Sequence, residues 1–108
     1  MKKKAKPKYE IIKCLVLSTA HMTSNDDDKC KELCAKLNLC GENVILDSHD
    51  FGWTLTWDSL KEMSKSIEAS GLSHALYKVL VFAGKLGCNS VKFDADAPVY
   101  DELAVFDW

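Results

Sequence analysis

The chain contains no arginine among its 108 residues. Arginine is the side chain best suited to bidentate reading of guanine and of carboxylates, so its absence argues against sequence-specific nucleic-acid recognition. Also missing is any apolar run near the roughly 20 residues of a membrane span. The apolar stretch behind the basic N-terminus, Ile11 to Leu17, is short, contains Lys13 and lacks a small-residue cleavage site of the signal type. These absences predict a cytoplasmic protein with no membrane association. Catalytic signatures are absent too: there is no G-x-S-x-G elbow and no glycine-rich phosphate loop. The five cysteines, Cys14, Cys30, Cys34, Cys40 and Cys88, are odd in number and follow no zinc spacing, which fits a reducing compartment. Cys30 and Cys34 stand at helical i, i+4 spacing beside Leu33 and Leu37, as small buried hydrophobes would.

What is present is ordinary for one globular domain: 47% hydrophobic and 28% charged residues. The charge, however, is divided unevenly. Five of the 14 lysines lie in the first eight positions, and from Tyr9 onward nine lysines face 16 acidic residues. Residues 1–8 therefore read as a disordered basic arm on an acidic domain spanning residues 9–108. Such an arm is a solvated tail or an electrostatic tether to phosphate.

Tyr9 to Ser18 is nearly continuous in apolar character, as a strand buried on both faces in the middle of a sheet would be. Thr23 or Ser24 caps a helix whose first turn holds Asp26, Asp27 and Asp28, and Gly41 ends it. Glu42 to Asp47 is a second strand. Trp53 to Trp57 alternates large apolar residues with threonine, giving a third strand with one buried face. Asp58 or Ser59 caps the next helix, with Glu62 placed for a capping box, and Ser70-Gly71 breaks it. Leu72 to Leu86 is a strongly apolar helix stopped by Gly87, and Ser90 to Asp94 is the last strand. The order βαββααβ predicts an α+β fold of the split βαβ or ferredoxin-like kind, a four-stranded sheet with helices on one face. The crossover rules make strands one and two parallel. Strand three returns antiparallel, and strand four is expected to run with it. His21, His49 and Cys88 then share one end of the sheet, and Asp94 and Asp96 lie at the other.

Three constellations can carry chemistry. His21 and His49, with Cys88 or Asp50, supply imidazole, thiolate and carboxylate for a divalent metal or a general base. Loop histidines more often cap or brace a turn. Thr19 and His21 at the exit of strand one resemble the lip of an active site, although helix capping by Thr19 or Thr23 accounts for the same residues. Asp94, Asp96, Asp101, Glu102 and Asp107 form an acidic terminus. It can hold a hard cation, face a basic partner groove, or discourage strand pairing at a solvated edge. No motif implies a cofactor. The tryptophans of strand three read as packing rather than base stacking. Trp108 is expected to dock on its own domain, leaving a monomer or a weak homodimer.

Taken together, LSTAHMT at 17–23, FGW at 51–53 and FDADAPVYDELAVFDW at 93–108 resemble a family of small uncharacterised proteins carried by prophages, plasmids and related mobile elements of bacteria. Members of that family show a strand ending in S/T-A-H, an aromatic-Gly-Trp or Tyr hairpin and a terminal F/Y-D-W. The matching residues are Ser18, Thr19, Ala20, His21, Gly52, Trp53, Asp94, Asp96, Pro98, Asp107 and Trp108. The lysine arm and the cysteine-rich first helix lie outside the likeness. The resemblance supplies no catalytic residues to carry over. It implies an accessory protein found near anti-restriction, toxin–antitoxin and similar genes. The expectation is therefore a protein-interaction module of anti-restriction-like type that binds a protein partner through Asp94, Asp96, Asp101, Glu102, Asp107 and Trp108. The alternative is a metal-dependent or His-assisted hydrolase using Thr19, His21 and His49, with Cys88 as a further metal ligand.

Overall fold

Caps and hydrophobic alternation divide the chain into the expected order βαββααβ, and the fold is α+β with a mixed four-stranded sheet. The computed structural model describes residues 11–36 and 44–107. The basic arm at 1–8, Leu37, Cys40, Gly41, Glu42 and Trp108 lie outside the described residues. The elements are β1 (Cys14–Ser18), a 3-10 turn (Thr19–His21), α1 (Ser24–Lys36), β2 (Val44–His49), β3 (Gly52–Trp57), α2 (Leu60–Ser70), α3 (His74–Lys85) and β4 (Ser90–Asp94).

Local chemistry sets the helix boundaries. The Thr23 hydroxyl accepts the Asp26 N–H at 3.0 Å and so caps α1. The Ser59 hydroxyl accepts from Glu62 N–H at 3.2 Å, and that of Ser73 from Leu76 N–H at 3.2 Å. Gly71 follows α2 with φ 84°, the left-handed conformation that ends a helix cheaply only at glycine. Leu72, placed inside the last helix by its apolar spacing, lies just ahead of the Ser73 cap, and Leu86 is 52% exposed.

The sheet order is β1-β4-β3-β2. β4 pairs parallel with β1 and antiparallel with β3, and β3 pairs antiparallel with β2. β1 and β2 thus run the same way with two strands between them, a split βαβ arrangement. The helices cover one face. Trp53, Leu55 and Trp57 are buried beneath them with Val44, Leu46, Val91 and Phe93, whereas Thr54 and Thr56 point to the other face and are half-exposed. Met63, Ile67, Leu76, Leu80 and Ala83 supply the helical side of the same core.

Two expectations about the sheet are corrected. Strand four runs against strand three and with strand one, so Ser18 faces Asp94 across the ladder. The helix pair α2–α3 returns the chain to the end where β3 leaves the sheet, Ser90 pairing with Thr56, so β4 runs back against β3. Strand one, read as central, is an edge strand, and Val16 is 39% exposed. Its apolar run is accommodated because residues 95–107, the C-terminal segment, lie along its free side. Ser18 N–H donates to Pro98 O at 2.8 Å, and the Tyr100 hydroxyl donates to Val16 O at 2.9 Å.

β3 and β4 approach each other closely at Gly52. A Cβ built there would strike the Phe93 carbonyl of the neighbouring strand. Gly52→Ala is expected to cost about 1–3 kcal/mol through forced separation of β3 and β4. Thermal unfolding checks this: the melting temperature should fall by roughly 4 °C or more per kcal/mol.

Candidate functional site

The end of the sheet where β1, β2 and β4 finish gathers most of the residues singled out by sequence. Ser18 leaves β1 and its hydroxyl accepts the Ala20 N–H at 3.0 Å, which starts the 3-10 turn. Met22 N–H donates to Thr19 O at 3.0 Å and closes it. The turn drives His21 inward, where it is completely buried.

Both ring nitrogens of His21 meet the main chain of the C-terminal segment. Nδ1 lies 2.8 Å from Ala104 O, and Nε2 lies 2.9 Å from Tyr100 N. An amide N–H only donates, so Nε2 is the acceptor. A carbonyl only accepts, so Nδ1 carries the proton. The geometry therefore selects the neutral Nδ1–H tautomer and satisfies it fully. The Tyr100 ring lies parallel to the imidazole, 6.2 Å away between centroids at 3°. Phe106 N–H donates to Ala20 O at 2.8 Å, adding a third tie from the segment to the turn. In this arrangement His21 has no free nitrogen for a metal or for proton transfer.

Within the segment, Tyr100, Leu103 and Phe106 recur every third residue and turn partly inward. Asp96, Asp101, Glu102 and Asp107 are left exposed. Asp94 is half-buried, and its carboxylate accepts the Asp96 N–H at 2.8 Å, bracing the turn that begins the segment. Asp94 and Asp96 therefore share an end of the sheet with His21 instead of facing away from it, as the parallel β1–β4 pairing requires. The ion pairs seen among the described residues, Lys29–Glu32 and Lys31–Asp27, both lie within α1. None reaches the five acidic residues of the terminus.

The other candidates do not join this cluster. His49 ends β2 at the far edge of the sheet, three strands from Ser18, or about 14 Å at the usual strand spacing. Its Nε2 is enclosed and has no hydrogen-bond partner among the described residues. Cys88 lies at the opposite end, where its N–H donates to Ala83 O at 2.9 Å, so it approaches neither histidine. Thr19 is half-buried, with its methyl near Gly52. Among the described residues no group of three or more His, Cys, Asp or Glu side chains is placed to hold a metal. No helix among them is long and apolar enough to cross a membrane.

Two features escaped sequence reasoning. Asp26, read as one of three acids in the first turn of a helix, is 2% exposed. Its carboxylate accepts the Ser73 N–H at 2.9 Å and the Ser73 hydroxyl at 2.5 Å, joining the starts of α1 and α3. Its neighbour Asp27 accepts the Trp53 indole N–H at 2.8 Å. A run of three aspartates gives no signal as to which one turns inward. The second missed feature is a groove between α3 and the C-terminal segment, with His21 at its base.

Residues 14–108 match the model of a family of unknown function, DUF5983, C-terminal domain, and the chain belongs to that family. No curated protein and no solved structure matches the chain.

The role of His21 as a clamp has a direct consequence. His21→Ala leaves the Tyr100 N–H and the Ala104 carbonyl without partners and opens a void beneath them. A loss of roughly 2–5 kcal/mol is expected. Hydrogen exchange localises it: the Tyr100 and Phe106 amides should lose protection first, while those of β3 and β4 keep theirs.

Proposed function

We propose that this DUF5983 member is a protein-interaction module whose acidic C-terminal segment docks into a basic groove of a partner protein. The observation that carries the reading is the state of the segment. Asp96, Asp101, Glu102 and Asp107 are exposed, and no ammonium among the described residues pairs with them. The backbone behind them is tied to β1 and to His21. Fixed, unneutralised carboxylates steer a basic partner and lose little freedom on binding.

The reading extends to a cytoplasmic accessory role for a mobile element, directed against host defence. A defence nuclease carries a basic channel for phosphate, and a rigid acidic segment competes for such a channel by charge alone. The alternative of a His-assisted hydrolase at His21 and His49 has less support, because the His21 nitrogens are occupied and His49 stands at the opposite edge.

The test is affinity capture from bacterial lysate with wild-type protein and with the triple variant Asp96→Lys, Asp101→Lys, Asp107→Lys. Wild type should retain a basic protein that elutes as salt shortens the Debye length from about 10 Å at 0.1 M toward about 3 Å at 1 M. The variant should retain about tenfold less of it, with its melting temperature within a few degrees of wild type, since all three sites are exposed. Equal retention by both proteins, or no salt-sensitive partner, rejects the reading.

A further inference from the structure

We propose that the groove between α3 and the C-terminal segment is a second binding site, of opposite sign to the acidic segment, for an acidic amphipathic peptide of a protein partner. The groove has a volume of about 670 Å³, within the size range of ligand sites. It continues past His74 and Tyr77 into a crevice of about 440 Å³ between α2 and α3.

The charge of α3 sets the sign. From His74 to Lys85 the helix carries no acidic residue, although the chain beyond Tyr9 is acidic overall. Lys78 and Lys85 both line the groove, both are exposed, and neither is ion-paired among the described residues. They stand seven positions apart, which is two helical turns or about 10.5 Å on the same side of the helix. Val81 and Phe82 fill the interval and are half-buried, with Leu103 and Phe106 on the facing wall. Glu102 also lies on that wall, and Glu68 lines the crevice beyond His74. These two repel an anion locally and leave Lys78 and Lys85 as the attractive points.

This spacing identifies the occupant. A short di- or tricarboxylate is too small to span two side chains rooted about 10.5 Å apart along the helix. A polyphosphate chain needs cations along its whole length and gains nothing from the apolar strip between them. A peptide with two carboxylates two helical turns apart and apolar side chains between them meets both lysines and covers Val81, Phe82, Leu103 and Phe106. That is the chemistry of an amphipathic segment laid into a groove. The site shares the C-terminal segment as a wall but attracts its ligand through the α3 lysines, whereas the function proposed above rests on the outward carboxylates, so variants of the two sets of side chains test them separately.

The experiment is fluorescence anisotropy on the full chain. The probe is a dye-labelled peptide with two glutamates separated by two helical turns and Leu and Phe between them. The control is the same peptide with both glutamates replaced by glutamine. Saturable binding is expected for the glutamate peptide, weakened about tenfold in the control and about as much by Lys78→Gln with Lys85→Gln. Lys78→Glu with Lys85→Glu should abolish it. Both lysines are exposed, so circular dichroism should show each variant folded. Three outcomes overturn the proposal: no saturable binding, equal binding of both peptides, or binding unchanged in the lysine variants. Sedimentation of the protein alone supplies a fourth. A homodimer that dissociates on the Glu substitutions assigns the groove to a second copy of the chain. The acidic-segment triple variant should bind the glutamate peptide at least as tightly as wild type, because Asp101→Lys and Asp107→Lys add positive charge beside the groove wall, while it loses the basic partner. The opposite responses keep the two sites separable.

Discussion

An edge strand built from apolar residues needs something along its free side, because bare backbone donors and acceptors invite pairing with another chain. In this protein the C-terminal segment fills that place beside β1, and a buried imidazole holds it. The segment offers few large side chains to bury, so its position depends on main-chain hydrogen bonds. Two of them end on His21, and others run from Ser18 to Pro98 and from Phe106 to Ala20. A histidine suits the task because its neutral ring donates from one nitrogen and accepts at the other. It can bridge a carbonyl and an amide of one passing segment without burying a charge.

The clamp also organises the surface. Tyr100, Leu103 and Phe106 turn inward from the segment, so the intervening acidic residues face outward. On its other side the same segment forms one wall of the groove against α3. One stretch of chain therefore separates an acidic outer surface from a groove lined by lysines. The ion pairs of Lys29 and Lys31 stay within α1, and none among the described residues reaches the terminal carboxylates.

Much of the fold was legible in local chemistry. The alternation of Trp53, Leu55 and Trp57 with threonine marked a strand and its buried face. Gly71 and Gly87 marked helix ends, and Ser59 marked a helix start. The sheet was less legible. A continuous apolar run such as that of β1 fits a central strand, and it fits equally an edge strand covered by another part of the chain. Nothing in the run distinguishes them, because the covering residues lie about eighty positions further on. The direction of strand four was misread for a related reason. Residue types show that Ser90 to Asp94 is a strand and which side chains are buried, but not the neighbour with which it pairs.

The site divides along the same line. Sequence alone marked His21 and the terminal aspartates, and determined the element order and the acidity of the C-terminal segment, because these depend on residue types and short spacings. Only the tertiary structure decided that His21 is a clamp, that Asp94 lies at its end of the sheet, that Cys88 lies at the other, and that Asp26 is buried against Ser73. Each of these depends on a contact between distant parts of the chain. Short-range patterns carry no information about which of many possible closures is lowest in free energy.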